Sequence, residues 1–529
     1  MPHRTQRPPR ETEEEPGHRP EFAGNSAWRH VSPLFGVLLL MPVAFALFRL
    51  LRPDLVVYYT EANVLGSLAA LEGPGGLGAL YPADGWVRPP IVLTLYPPVY
   101  FWVTAAIDAV TGTGGSLLAP RIVSTAGLAG SLILLVRIGI RSRAPGAWIV
   151  SLLGAAMLAP PLYHLAGAAQ VDALALFWTA AGITLAFPWI EGDAAADETG
   201  TTPPHGLPWA AILCFLFAFF TKQDFVTAPA AIAIFFALTA RVRLAARFGA
   251  ALLVPSVMGT LILDRATAGG YLANTFGALS GGLAPANFTA ALASTAPLQW
   301  VPIAVVVALG VRGRTRAGFP ELYLAATAAL HLGGMARIGS SSNYFTEPLF
   351  ALLLLGFVRS PARGVPGTRI NQRLVAVLAV VLLAPAAIAG LSRFVQIQKL
   401  ANEDVPTWDV AATPGYPLVE WKLFPAVLAR GEIPYLNDTF AFGAMYEAGK
   451  WDIEIVASAI DEGRIPYAIS HIDPLAAPAS PDERVIDHPF SFFWTTPRLW
   501  ESLHRAYRAR PLGLYTLWTA DATHPPNAR

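Results

Sequence analysis

The chain has 529 residues, of which 54% are hydrophobic and only 14% are charged, and its formal net charge is +1. Soluble globular proteins average about 25% charged residues, so the composition excludes an ordinary cytosolic enzyme. The near-zero net charge provides no basic field for a nucleic acid, and the single cysteine, Cys214, excludes an intrachain disulfide. We therefore expect a polytopic membrane protein with no nucleic-acid partner.

The N-terminal segment is rich in Arg, Glu and Pro and carries few apolar side chains, which predicts a disordered cytoplasmic tail over residues 1–30. The apolar run over 31–51 is long enough to cross a hydrocarbon core, for which about 20 residues are needed. With the runs that follow, the sequence predicts an α-helical membrane domain of about 11 transmembrane helices over residues 31–392. The later runs are 119–140, 147–166, 171–190, 208–221, 225–240, 248–264, 296–311, 319–336, 344–358 and 373–392.

The run over 97–110 is aromatic and apolar but only about 14 residues long, a length more typical of an interfacial helix than of a span. Short cytoplasmic loops collect Arg and Lys. If the 97–110 run does not cross, the Arg clusters at 137–143, 241–247, 312–316 and 359–373 all fall on the side of the N-terminus. The sequence thus predicts a multi-pass protein of the cell membrane, with its N-terminus cytoplasmic and its C-terminal part extracytoplasmic.

The same topology places the loops 52–118 and 265–295 and the tail 393–529 outside the cytoplasm. Helical and strand-like patterns alternate in the tail, which predicts a small extracytoplasmic α/β domain over 393–529. The predicted helices are 417–430, 451–463 and 497–509, and the predicted strands are 433–436, 465–472 and 512–519.

Ionisable groups at membrane depth are costly and are therefore functional candidates. The runs 208–221 and 225–240 are short for spans, and the break between them carries Lys222, Gln223 and Asp224, which indicates the lining of a cavity. Other polar side chains fall at the same predicted outer face, where helix ends would meet water even without a function. They are Asp54, Glu61, His164, Gln170, Asp172, Asp264, Arg265, His331, Arg337, Asn343 and Glu347.

The aromatic stretch that begins at Tyr96 is typical of a membrane-interface belt, and it would lie at the mouth of such a cavity. Arg121 follows it closely and would meet a lipid phosphate there. His164 and His331 have no ligand partner at helical spacing, which favours a structural role for both. No ligand cluster of convincing spacing exists, so the sequence leaves a divalent metal cofactor open.

The order and spacing of several motifs resemble those of the GT-C superfamily of polytopic membrane glycosyltransferases, and specifically its family 39-like (protein mannosyltransferase-like) bacterial branch. In that branch the YPP segment forms a juxtamembrane helix, which agrees with the interfacial position predicted above. The motifs are YYTE (58–61), LYP (80–82), YPPVYFWVTAAIDAVTG (96–112), PRIVS (120–124), VDALALF (171–177), FFTKQDF (219–225), GSSSNYFTE (339–347) and YLNDTFAFGAMYEAGKWD (435–452).

The resemblance implies transfer of a sugar from a polyprenyl-phosphate donor to an extracytoplasmic glycan, lipid or protein acceptor, in the biosynthesis of cell-envelope glycans. It also implies a catalytic carboxylate in the first extracytoplasmic loop, because inverting transfer needs a general base. Many relatives have an adjacent Asp-Glu pair there, whereas Asp54 and Glu61 are seven residues apart in this chain. Glu61 fits the position better and is the first candidate for the base, and Asp54 is the second.

The departing lipid phosphate needs fixed positive charge, and the resemblance suggests Lys222 and Arg337 for it, beside Arg121. The residues expected to orient sugar or acceptor hydroxyl groups are Asp172, Gln223, Asn343, Glu347 and Tyr96. A secondary transporter or a lipid-linked sugar flippase is the alternative, since broken helices and membrane-depth charges are also typical of transporters. A non-catalytic scaffold is a third possibility, for which the break at Lys222 would serve no purpose.

Overall fold

A computed structural model describes most of the chain, apart from the N-terminus, the C-terminus and several internal segments. The described ranges are 25–199, 206–278, 318–336, 342–360, 408–410, 415–471 and 496–521, together with isolated residues between them. The predicted tail up to residue 24, nearly all of the predicted spans 296–311 and 373–392, and the site candidate Arg337 lie outside the described residues. The first helix begins at Asn25, before the predicted start at residue 31.

The helices of the membrane domain follow the predicted apolar runs, except that the single span predicted over 147–166 is wrong. It is broken into two helices at Ala159, whose backbone is extended and which precedes the pair Pro160-Pro161. Three segments are long and apolar enough to cross a membrane by length and composition: Leu118–Arg141, Val171–Glu191 and Val242–Ala266. The helices are α1 (Asn25–Leu51), α5 (Leu118–Arg141), α6 (Gly146–Leu158), α7 (Pro160–Leu165), α8 (Val171–Thr199), α9 (Trp209–Thr221), α10 (Thr227–Leu238), α11 (Val242–Ala266), α12 (Gly270–Leu272), α13 (Phe319–Gly334) and α14 (Thr346–Val358).

Aliphatic and aromatic side chains from most of these helices form one buried core. Helix α11 lies at its edge, since it buries Phe248 and Leu263 but leaves large apolar side chains such as Leu253 and Ile262 exposed. An apolar helix face without a protein partner is typical of a surface in contact with lipid.

The predicted break between two short helices is confirmed. Helix α9 ends at Thr221 and α10 begins at Thr227, and neither helix reaches the length of about 20 residues that a span needs. The intervening backbone leaves the helical path at Lys222, whose φ of −151° is extended. The break therefore places polar backbone groups and polar side chains in the interior of the domain.

The first long loop contains three helices, α2 (Tyr59–Glu72), α3 (Gly76–Leu80) and α4 (Val99–Thr111). Helix α4 corresponds to the run predicted over 97–110. The residue that follows it, Gly112, caps the helix in the left-handed backbone conformation that favours glycine. Helix α2 lies against the C-terminal segment, because a Cβ at Gly66 would lie only 2.6 Å from the Cβ of Asn437. A larger residue at position 66 would push these two segments apart.

The C-terminal part is a small α/β unit, which confirms the predicted class. Its sheet has the order β1-β2-β4-β3, with β1 and β2 parallel and the other neighbours antiparallel. Its strands are β1 (Leu418–Val419), β2 (Tyr467–Ser470), β3 (Tyr507–Leu512) and β4 (Tyr515–Ala520), and its helices are α15 (Phe424–Ala429), α16 (Thr439–Glu447), α17 (Glu454–Asp461) and α18 (Pro497–Ala506).

Some predicted elements of this part were wrong in their extent. The helix predicted over 417–430 is limited to α15, because Leu418 and Val419 pair with β2 and Pro425 occupies the first turn of α15. The strand predicted over 433–436 is reduced to a single bridge from Leu436 to Ile91. Strand β3 was missed, and the helix predicted over 497–509 was extended into it, because most of this edge strand is exposed and its sequence, with two Arg and a Pro, shows no apolar alternation.

Candidate functional site

A cavity of about 580 Å³ lies where the first loop, the α9–α10 break, α13 and the C-terminal segment meet. Its volume falls within the range of about 300–1,000 Å³ typical of small-molecule sites. The structure brings several of the predicted site residues to this cavity. The predicted site residues that line it are Tyr96, Lys222, Gln223 and Asn343. Asp224 of the predicted break lines it as well, and so does His331, for which the sequence favoured a structural role.

Lys222 is the one Lys or Arg among the described residues that line the cavity. Its Nζ lies 2.7 Å from Asp172 Oδ1 and 3.4 Å from Asp224 Oδ2. Asp172 is buried in the first turn of α8, where the helix dipole favours a carboxylate. The two carboxylates fix the position of the ammonium group, and they leave at least one of its three N–H donors for a ligand.

Aromatic rings surround the same ammonium group. Its Nζ lies 5.9 Å from the ring centre of Tyr96 and 5.5 Å from that of Tyr344, within the range of cation–π attraction. Both rings also line the cavity. The arrangement combines a fixed cation with flat apolar faces on which a sugar ring can pack.

Gln223 links two segments that enclose the cavity. Its Nε2 donates to the carbonyl oxygens of Leu95 and Thr275, at 3.1 and 3.0 Å. Its buried Oε1 has no hydrogen-bond partner in the described part of the chain. The amide is therefore held in place by its nitrogen, and its oxygen is left to accept from a ligand hydroxyl.

Glu347 does not line the cavity but orients a residue that does. It accepts hydrogen bonds from Thr227 Oγ1 and, at 3.0 Å, from the Tyr323 hydroxyl, and its Oε2 lies 2.8 Å from His331 Nε2. A carboxylate beside Nε2 assigns a proton to that nitrogen. The buried Nδ1 of His331 has no hydrogen-bond partner among the described residues. Glu347 thus contacts two hydroxyl groups of the protein and His331, and its role at a sugar or acceptor hydroxyl stays a prediction.

Glu61 and Arg121 form a buried ion pair away from the cavity lining. Arg121 Nε lies 2.9 Å from Glu61 Oε1, and both side chains are fully buried. The remaining N–H groups of Arg121 donate to Glu61 Oε2 and to the carbonyl oxygens of Arg49, Arg52 and Leu55. All five N–H donors of the guanidinium are used within the chain, so a phosphate could bind Arg121 only at the expense of these bonds.

Asp54 lies at the surface and pairs with Arg52 at 3.1 Å. The hydrogen bond from Arg52 lowers the pKa of the Asp54 carboxyl, although partial burial acts against it. Neither Asp54 nor Glu61 lines the cavity.

The C-terminal segment supplies cavity residues that the sequence did not single out. Asp438, Phe440 and Met445 line the cavity beside Tyr59 and Asn63 of α2. Asp438 lies within the motif YLNDTFAFGAMYEAGKWD, and an Asp before an apolar run is also a helix N-cap signal. The motif and the N-cap pattern are both visible in the sequence, but neither of them indicates which part of the protein this segment packs against.

Metal binding has no clear site in the part of the chain that the structure covers. Among those residues, no group of three or more His, Cys, Asp or Glu side chains is arranged to hold a metal ion.

No protein-family model and no curated protein matches the chain. Among solved structures, the chain is similar to ArnT from Cupriavidus metallidurans bound to undecaprenyl phosphate, with a TM-score of 0.54, 15% identity, and coverage of 93% of this chain and 99% of that one. It is also similar to the apo state of the same protein, with a TM-score of 0.53, 14% identity, and coverage of 92% and 98%. The likeness confirms the expected GT-C fold, while the family 39-like branch stays a prediction. The chain therefore has the fold of the GT-C membrane glycosyltransferases.

Proposed function

We propose that this protein is a membrane glycosyltransferase that moves a sugar from a polyprenyl-phosphate donor to an extracytoplasmic glycan, lipid or protein acceptor. The observation that carries the proposal is the position of Lys222, a fixed cation in the cavity of a GT-C fold. ArnT, which has this fold, has been solved with undecaprenyl phosphate bound. A polyprenyl phosphate and membrane lipids are thus the first partners to test.

Lys222 would stabilise the leaving group. When the bond between the anomeric carbon and the phosphate oxygen breaks, the electron pair departs with the polyprenyl phosphate and negative charge grows there. A preorganised cation next to that oxygen lowers the barrier without having to move during the reaction. Asp172 provides the preorganisation, since it holds the Lys222 ammonium at 2.7 Å.

The sugar would bind between polar and aromatic groups of the same cavity. Gln223 Oε1 has no hydrogen-bond partner among the residues that the structure describes, and Asn343 lines the cavity beside Tyr344. Amide groups can pair with sugar hydroxyl groups, and the ring of Tyr96 offers an apolar face. These residues support a sugar, rather than a purely apolar ligand, as the group that is transferred.

The reaction is proposed to invert the anomeric centre in one displacement. The acceptor oxygen bonds to the anomeric carbon, the bond to the phosphate breaks, and the acceptor proton passes to a carboxylate base. Glu61 and Asp54 are the sequence-based proposals for this base. Access to Glu61 would require Arg121 to give up its hydrogen bonds to the two carboxylate oxygens.

The transferase activity can be tested with the full chain in lipid vesicles that contain a panel of polyprenyl-phosphate hexoses and pentoses. Release of free polyprenyl phosphate, with loss of the sugar to an added acceptor, is measured by mass spectrometry. Lys222→Met should lower the rate by about 10²–10³-fold, the usual effect of losing one charge-stabilising donor. Lys422→Met, which removes a lysine outside the cavity lining, is the matched control.

Deletion of the gene should cause the lipid-linked donor to accumulate and a surface glycan to lose one sugar. Two results would contradict the proposal: wild-type protein that transfers no sugar from any donor of the panel, or a Lys222→Met protein that transfers at the rate of the Lys422→Met control. Movement of an intact lipid-linked sugar across the vesicle membrane without cleavage would favour the flippase alternative.

A further inference from the structure

Two amide side chains of the cavity wall, Asn63 and Gln223, are held by the same short segment of the first loop. Asn63 Nδ2 donates to Leu93 O at 2.9 Å, and Gln223 Nε2 donates to Leu95 O at 3.1 Å. Both amide residues line the cavity. They come from different elements, since Asn63 lies in α2 and Gln223 in the α9–α10 break.

The orientation of both amides follows from their partners. A carbonyl oxygen can only accept a hydrogen bond, so the amide atom that faces it must be the nitrogen. The side chain of Asn63 also donates to Asp438, and Gln223 Nε2 also donates to Thr275 O at 3.0 Å. Each amide nitrogen thus has both of its N–H groups bonded within the chain.

The oxygen atoms of the two amides are left without donors. Asn63 Oδ1 and Gln223 Oε1 are buried, and neither accepts a hydrogen bond from any residue that the structure describes. The same holds within the described ranges for Oδ1 of Asp224, which also lines the cavity. A buried acceptor without a partner is costly. A ligand that suits this wall therefore has to bring hydrogen-bond donors.

The two amides lie close enough to contact one sugar. Leu93 and Leu95, to which they bond, are two residues apart, so their Cα atoms are separated by at most about 7 Å. Both leucines line the cavity as well. A single pyranose ring with hydroxyl groups on two of its edges can thus contact both amides.

The position of the two amides also agrees with the proposed reaction. Asn63 follows Glu61, the first candidate for the base, by two residues, and Gln223 directly follows Lys222, the proposed leaving-group residue. In an inverting displacement the sugar lies between the attacking group and the leaving group. Side chains contributed by these two elements are therefore suited to hold the sugar itself.

We propose, resting on the transferase function proposed above, that Asn63 and Gln223 form an amide pair that accepts hydrogen bonds from two hydroxyl groups of the transferred sugar. The substrate class is a polyprenyl-phosphate sugar whose hydroxyl groups are free at both of these positions. Deoxy and O-acylated analogues cannot donate there and leave an amide oxygen unpaired. Sites that bind a substrate hydroxyl group through buried polar groups discriminate strongly against analogues that lack it.

The first test uses wild-type protein, as the full chain in vesicles, with the best donor of the panel described above. This donor is compared with its monodeoxy analogues, one for each free hydroxyl group of the sugar, and kcat/KM is measured from the release of polyprenyl phosphate. At least two analogues should lose about 10–100-fold in kcat/KM, the effect of leaving one buried acceptor unpaired.

The second test removes each oxygen at nearly constant side-chain volume, with Gln223→Met and Asn63→Leu. Each variant should lose its discrimination at one ring position, so the ratio of kcat/KM between the parent donor and one analogue should fall by about 10–100-fold. The affected position should differ between the two variants. The intrinsic reactivity of each analogue cancels in the comparison with wild type. A residue that only supports the wall would slow all donors equally and change no ratio.

Asn437→Leu is the matched control for the ratios. Asn437 is an amide that also bonds to Leu93, but both of its ends are used there: Oδ1 accepts from Leu93 N at 2.8 Å, and Nδ2 donates to Leu93 O at 3.2 Å. It is not among the described residues that line the cavity. This variant should keep the wild-type ratios even where its rates fall.

The outcomes separate this inference from the proposed function. A wild type that transfers every monodeoxy analogue as well as the parent sugar overturns the amide pair alone, and this result needs no variant to fold. Wild-type ratios in both Gln223→Met and Asn63→Leu would also overturn it. Absence of transfer by the wild type from any donor would instead overturn the proposed function, and the amide pair with it.

Discussion

The buried pair of Glu61 and Arg121 gives a stability prediction whose size can be worked out from its contacts. Glu61 accepts from Arg121 through both carboxylate oxygens, at 2.9 Å each, and from the backbone N–H groups of Val57 and Ala169 at 2.8 and 3.0 Å. Removing one partner of a buried ion pair costs about 3–5 kcal/mol, because the other charge is left uncompensated. Glu61→Gln keeps one acceptor oxygen, so we expect a loss at the lower end, about 3 kcal/mol.

Arg121→Met should cost more than Glu61→Gln. It strands the Glu61 carboxylate and also removes the donors to three backbone carbonyls, those of Arg49, Arg52 and Leu55. An unsatisfied buried acceptor costs about 1–3 kcal/mol. The double variant Glu61→Met/Arg121→Met should be more stable than Arg121→Met alone, because it no longer buries an unpaired carboxylate.

The assay is the melting temperature of the purified full chain in detergent. Glu462→Gln is the control, since Glu462 pairs with Arg464 in an exposed ion pair of the kind worth at most about 1 kcal/mol. Equal melting temperatures for Glu61→Gln, Arg121→Met and Glu462→Gln would refute the reasoning. Activity lost in Glu61→Gln must be compared with this measurement before it is assigned to catalysis.

The same pair predicts a pH dependence of stability. Burial acts to raise the pKa of the Glu61 carboxyl, but the charge and hydrogen bonds of Arg121 outweigh it and the pKa lies below its ordinary value of 4.5. A lowered pKa in the folded state contributes stability above pH 4.5, and this stability is lost as the pH falls through the folded-state pKa. The melting temperature of wild type should therefore fall more steeply than that of Glu61→Gln as the pH drops below 4.5.

Two further predictions concern the placement of the C-terminal segment. Gly66→Ala should destabilise the protein and lower transfer, since its Cβ would lie 2.6 Å from the Cβ of Asn437. Gly78→Ala is the control and should behave as wild type, because no atom lies within 4 Å of a Cβ at that position. Equal melting temperatures for the two variants would contradict the close contact. Labelling of Glu462→Cys in a Cys214→Ser background with a membrane-impermeant reagent should succeed from outside intact cells, and labelling only after lysis would contradict the predicted topology.

Much of the membrane domain could be predicted because hydrophobicity and length are local properties of the sequence. The runs that predicted α5, α8 and α11 appear as long helices, and the polar residues between two short apolar runs correctly marked the break at Lys222. The motif order correctly indicated the GT-C fold. These features need no knowledge of which segments meet in space.

The partners of the charged residues were decided only by the tertiary structure. Arg121 meets Glu61 across 60 residues, and Lys222 meets Asp172 across 50. The contact that fixes the C-terminal segment joins Leu93 to Asn437 across 344 residues. A single sequence shows which side chains can ionise, but packing determines whether a carboxylate is neutralised by an arginine in the interior or lies beside a cavity. For this reason the sequence predicted the kind of chemistry, while the fold decided that Glu61 is enclosed and that Asp438 faces the cavity.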